Sequence, residues 1–154
     1  MKENNSITMI PILSTEWSVS LDVTFLGEVS HWGSVILFRV NDDGNSIGDR
    51  IPSIYTYPSS TSLLIQSDAD TLGRHLVSDL STIYKFQVGK KIHIEIHQRY
   101  LNGGIYRTFT SIDGVEIASF TYNNVKLFHN VKVHAGSGSV ANAKISNFKH
   151  TNFM

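Results

Sequence analysis

Nine residues near the start of the chain, Trp17-Ser18-Val19-Ser20-Leu21-Asp22-Val23-Thr24-Phe25, alternate without a break. Trp17, Val19, Leu21, Val23 and Phe25 fall on one face; Ser18, Ser20, Asp22 and Thr24 fall on the other. Side chains of an extended chain point to opposite faces in turn, so the pattern predicts a half-buried β-strand and does not fit a helical repeat. It returns where Ile92, Ile94 and Ile96 are set against His93, Glu95 and His97, and again at Val131 and Val133. A chain patterned this way needs a second layer of strands to cover those apolar faces.

The remaining segments supply that layer. Trp32 to Val40 is more continuously apolar, as a central strand is. Ile51 to Tyr57 carries Pro52 near its start, where a missing N–H is tolerated. Ser62 to Gln66 follows. Leu101-Asn102-Gly103-Gly104 and Asp113-Gly114 take positive φ at low cost, so they join Lys90–Tyr100, Ile105–Ile112 and Val115–Tyr122 in a three-strand meander. Phe128 to Ala135 and Ala143 to Phe148 are the last strands. Residues 1–12 read as a polar arm and a short edge strand. Between 71 and 85, Leu72, His75, Leu76 and Leu80 fit a helical turn or a broken strand equally, and no long helix is expected. About ten to twelve short strands separated by turns predict an all-β fold. Specifically, this is a two-sheet antiparallel β-sandwich, or jelly roll, with residues 1–154 as a single domain.

Charge and composition exclude several partners. Charged residues make up 17% of the chain, below the roughly 25% of an average globular protein. Ser, Thr, Asn and Tyr take their place, as in extracellular modules. Thirteen basic residues balance thirteen acidic ones, so no field attracts phosphates and nucleic acid is not an expected partner. Without cysteine there are no disulfides and no cysteine-bound zinc. No apolar run approaches the roughly 20 residues that cross a bilayer, so membrane insertion is not expected. Met1 to Ser6 lacks the apolar region of a signal peptide. The chain reads either as cytosolic or as a mature extracellular domain preceded by an added Met, and the composition favours the second. Asn4-Asn5-Ser6 fits a glycosylation sequon.

Two polar clusters invite a chemical reading. Asn41-Asp42-Asp43-Gly44-Asn45, followed by Gly48-Asp49-Arg50, forms an acidic loop between two strands. Asp42, Asp43, Asn45 and Asp49 offer the oxygen donors that Ca²⁺ takes. The spacing is not that of an EF-hand, and Asp, Asn and Gly also make an ordinary turn, with Arg50 pairing with Asp49 or Asp43. Asp68 and Asp70 form a second acidic turn. His93-x-Glu95-x-His97 has zinc-ligand side chains. On one strand its outer members stand about 13 Å apart, too far for one ion without a bulge. A retaining glycoside hydrolase needs two carboxylates about 5–5.5 Å apart. Glu95 has no carboxylate companion on its strand, Asp22 and Glu16 do not supply one, and there is no G-x-S-x-G. A non-enzymatic protein is expected.

Several segments together resemble a known family. They are Trp17–Ser20, Trp32–Leu37, Gly48–Pro52, Lys91–Gln98, Ile112–Gly114, Asn130–Val133 and Ala143–Phe148. Over residues 16–150 they are similar to the concanavalin A-like lectin/glucanase superfamily in its laminin-G-like form, and to single-domain lectin-like proteins of invertebrates. The H-x-N-P-R strand of galectins, which share this architecture, is absent. The resemblance implies a twisted two-sheet sandwich, often calcium-binding, that recognises carbohydrate or a matrix partner.

A sugar presents a C–H face to aromatic rings and hydroxyls to planar polar groups. On that chemistry Asp43, Asn45, Arg50, Tyr55, Asn102 and Asn123 are the expected carbohydrate contacts, with glycans as partners. Asp42, Asp43, Asn45 and Asp49 are the expected Ca²⁺ ligands. A homodimer would raise avidity by pairing sites. The competing reading is a laminin-G-like adhesion module that binds protein through a sheet face.

Overall fold

A computed structural model of the chain describes residues 5–41, 47–67, 76–123 and 125–153. Within these, eleven strands build two sheets. The first six are β1 (Ser6–Leu13), β2 (Glu16–Phe25), β3 (Gly33–Arg39), β4 (Ser53–Thr56), β5 (Leu63–Ser67) and β6 (Leu76–Asp79). The others are β7 (Lys91–Asn102), β8 (Ile105–Ile112), β9 (Val115–Tyr122), β10 (Phe128–His134) and β11 (Ala143–Phe153). One sheet has the order β1-β10-β3-β4-β5-β6 and the other β11-β2-β7-β8-β9, with every pair antiparallel. Among the described residues there is no helix. This is the all-β sandwich that the alternation predicts.

The core lies between the sheets and is made by the alternating positions. Val19, Leu21, Val23 and Phe25 of β2 are fully buried, as are Ile94 and Ile96 of β7. Facing them across the sandwich are Ile36 and Phe38 of β3, Ile54 of β4, Leu63 of β5, and Val131 and Val133 of β10. Burying side chains of this size contributes about 1.5–3 kcal/mol each. Phe86, beyond β6, closes one end by stacking on Phe25 with centroids 3.9 Å apart.

The hairpins follow from their turn residues. Gly103 and Gly104, and Asp113 and Gly114, all hold positive φ. This is the two-residue turn whose twist matches the flanking strands. Elsewhere the elements differ from the sequence-based boundaries. Strand β4 begins only at Ser53. Before it, Ile51 N–H donates to Phe38 O and Phe38 N–H to Pro52 O, both at 3.0 Å, so Gly48–Pro52 is a close-packed approach to β3. Strand β11 runs on to Phe153 rather than ending at Phe148. A register shift between Ser146 and Lys149, with Asn147 at φ 52°, lets it resume pairing with β2. In the ambiguous 71–85 segment the described part is the short strand β6 and a turn after it, so the strand reading holds there. Asp68 and Asp70 lie outside the described residues.

Candidate functional site

The site is built on the outer face of the six-stranded sheet, where β3, β4 and β5 lie side by side. Ile54, Leu63 and Ile65 point into the core, so their neighbours Tyr55, Leu64 and Gln66 point out. Register aligns Ser34 with Tyr55, Tyr55 with Leu64, and Ser53 with Gln66. The outward side chains therefore meet across neighbouring strands. Trp32 stands just before β3, and Arg50 lies within the Gly48–Pro52 segment that leads into β4. Together Trp32, Arg50, Tyr55, Leu64 and Gln66 line a depression of about 390 Å³.

Its chemistry is amphipathic. Trp32 is 44% exposed, and its ring leans against Tyr57 with centroids 4.5 Å apart and planes inclined at 46°. Burial, and the carboxylate of Asp79 beside it, hold the Tyr57 hydroxyl above its ordinary pKa, so it remains a donor to Asp79. Asp79 in turn is held low by the backbone N–H of Ser81, at 2.8 Å, then by the Ser81 and Tyr57 hydroxyls. Arg50 Nη1 donates to Gln66 Oε1 at 3.4 Å. The result is an aromatic wall beside planar polar groups, over the aliphatic side chain of Leu64. A ligand with one apolar face and a rim of hydroxyls matches this arrangement.

The structure divides the residues expected from sequence. Arg50 and Tyr55 line the depression. Asn102 and Asn123 are exposed at one end of the five-stranded sheet, at the β7–β8 turn and beyond β9, and do not line it. Asp49 is fully buried, and its Oδ1 accepts the Asn41 N–H at 3.0 Å, which closes the base of the loop. Asp42, Asp43 and Asn45 lie outside the described residues. Their oxygens suit a hard cation chemically, while at least one oxygen of Asp49 is already engaged with the backbone. Trp32, Leu64 and Gln66 were missed, although the alternation of Leu64 and Gln66 with Leu63 and Ile65 already marks those two as outward-facing. Joining them to Tyr55 requires the β4–β5 register.

A second polar array crosses the outer face of the other sheet. Asp22 is nearly buried and takes three partners. His93 Nδ1 and Asn147 Nδ2 each lie 2.7 Å away and Lys91 Nζ lies at 3.6 Å. His93 Nε2 faces Glu95 Oε1 at 3.5 Å, and His97 Nε2 faces Glu95 Oε2 at 3.7 Å. Arg99 donates to His97 Nδ1 at 3.3 Å. A guanidinium only donates, so Nδ1 accepts and the His97 proton sits on Nε2, towards Glu95. His93 lies between two carboxylates, and the bond to Asp22 above all raises its pKa. His97 is pushed the other way, by burial first and then by Arg99, and it stacks on Phe109 with centroids 4.6 Å apart. The three side chains of His93-x-Glu95-x-His97 thus satisfy one another in a row. Among the described residues no three His, Asp or Glu side chains are gathered to share a metal ion.

No family model matches the chain, and no curated protein matches it. Solved structures do. One is the native heptameric SAP-like pentraxin from Limulus polyphemus, at 13% identity and a TM-score of 0.58, covering 94% of this chain and 67% of that one. Another is sheep galectin-11 in complex with glycerol, at 12% identity and 0.51, covering 98% and 99%. A third is a marine alginate lyase from Aplysia kurodai, at 14% identity and 0.54, covering 90% and 71%. At these identities the likeness establishes the fold alone, a two-sheet jelly-roll β-sandwich. A pentraxin, a galectin and an alginate lyase share it.

Proposed function

We propose that this chain is a carbohydrate-binding protein whose site is the depression of Trp32, Arg50, Tyr55, Leu64 and Gln66. The observation that carries the proposal is one hollow, lined from β4, β5 and the segments leading into β3 and β4, where an exposed indole stands beside a guanidinium and an amide. Stacking on the ring would hold the apolar face of a sugar, and Arg50, Gln66 and the Tyr55 hydroxyl would orient its hydroxyls. The site binds without turnover. The row of acid and base groups from Asp22 to His97 lies on the other sheet, and its members are bonded to one another. Calcium belongs to the same proposal at a second level, through the donors of the 42–49 loop, and glycan recognition goes with an extracellular setting.

A glycan array with wild type and Trp32→Ala, each with and without EDTA, tests this. Trp32→Ala should lower affinity for any bound glycan by about tenfold or more. Its cost in stability should be about 1 kcal/mol or less, because the ring is partly exposed. Failure of the folded wild type to bind any glycan overturns the proposal. Binding that survives EDTA assigns the acidic loop a purely structural part.

A further inference from the structure

We propose that Tyr57, anchored through its hydroxyl to Asp79, is a positioning residue that holds the Trp32 indole in the orientation a ligand meets. The proposal rests on the reading of the depression as the binding site. Tyr57 is not among the residues that line the depression, so its part is played through Trp32.

An indole placed like that of Trp32 moves unless something holds it. The residue is 44% exposed and precedes β3, outside the ladder that fixes the strand. Exposed side chains change rotamer within picoseconds to nanoseconds. A ligand that stacks on a mobile ring must first immobilise it, which lowers affinity. Here the fold supplies the restraint. Gly33 pairs with Thr56 at the end of the β3–β4 ladder, so Trp32 and Tyr57 come opposite one another just beyond it. Their tilted rings, with centroids 4.5 Å apart, make a cross-strand aromatic contact.

That contact fixes the indole only if the phenol is itself fixed, and Tyr57 is held at both ends. Its backbone N–H donates to Ser62 O at 3.2 Å, which ties it to the segment entering β5. Its hydroxyl reaches past that segment and donates to the carboxylate of Asp79, at the end of β6. Asp79 has a firm seat of its own. It accepts the Ser81 N–H at 2.8 Å, and the Leu80 N–H beside it donates to Leu63 O at 3.1 Å. One line of contacts, Trp32 to Tyr57 to Asp79, therefore crosses the neighbouring strands from β3 to β6.

Nitrogen-15 relaxation of the two indole N–H groups tests this without a ligand. Trp17, 1% exposed, is the internal reference, and Trp32→Phe assigns the two resonances. In wild type the Trp32 order parameter should match that of Trp17, about 0.85. Tyr57→Phe, which removes only the hydroxyl, should lower it, and Tyr57→Ala should bring it below about 0.6. Trp17 should keep its value in both. Any glycan bound by wild type should bind Tyr57→Phe about threefold to tenfold more weakly, the effect of ordering one side chain. Tyr106→Phe, on the other sheet, should change neither measurement. A thermal melt of each variant confirms that it is folded. A Trp32 order parameter that Tyr57→Phe leaves unchanged overturns the proposal. So does a loosened ring with unchanged glycan affinity. A wild type that binds no glycan overturns the reading of the depression, and the order parameters still decide whether Tyr57 holds the ring.

Discussion

Trp32 stands where it does because the residue after it has no side chain. At Gly33 the start of β3 passes so close to its neighbours that a Cβ would run into Thr56 Oγ1 and come within 2.8 Å of Ala141 Cα. Backbone on one side cannot yield cheaply, so Gly33→Ala should destabilise the fold by about 1–3 kcal/mol. A thermal or denaturant melt checks this, and an unchanged midpoint would refute it. At this scale the sequence was readable where one residue has one obvious use. Tyr55 and Arg50, picked for aromatic and planar polar chemistry, do line the depression. Asn102 and Asn123 have equally suitable side chains, but they belong to a different sheet. Side-chain chemistry alone does not say which residues meet.

The element scale explains both the successes and the omissions. Strands β2, β8 and β9 were legible almost to the residue, because alternation and two-residue turns are local signals. The extension of β11 past Phe148 was not, because its pairing resumes after a bulge that only β2 defines. Nor does the sequence reveal that Asp22, His93 and Asn147 tie β2, β7 and β11 together. That tie titrates. His93 has a raised pKa in the folded state, so its contribution is complete below the ordinary value of 6.5 and is lost as pH rises through the folded value. Asp22 has a lowered pKa, so its contribution is complete above 3.8 and is lost as pH falls through the folded value. The stability difference between wild type and His93→Gln should therefore be greatest between pH 3.8 and 6.5 and shrink above 6.5. Wild type alone would hide this, since His97 and His150 are held low by burial and oppose folding as pH falls below 6.5. Denaturant melts of both proteins across this range test it. A difference that does not change with pH would refute the tie.

The whole molecule is held by pairings between distant parts of the chain. Strand β1 pairs with β10, and β2 with β11. The Ser14 N–H donates to Asn152 Oδ1 across 138 residues. Closing such loops costs entropy before any contact compensates for it. Refolding should accordingly take milliseconds to seconds, as in other sandwiches dominated by remote contacts. Stopped-flow refolding from denaturant measures it, and a relaxation of about microseconds would contradict the topology. The two-sheet architecture itself needed no knowledge of those pairings. Faces as apolar as that of β2 can be covered only by another layer.

The chain has two tryptophans, and the fold sends them to opposite environments. Trp17 is 1% exposed in the core and Trp32 is 44% exposed in the depression. Their fluorescence therefore forms two channels with separate meanings. The blue-shifted emission of Trp17 follows the integrity of the sandwich. The red-shifted emission of Trp32 follows whatever settles against its ring. Replacing either indole by phenylalanine leaves the other as a single optical probe, so occupancy and unfolding can be read apart in two unlabelled variants.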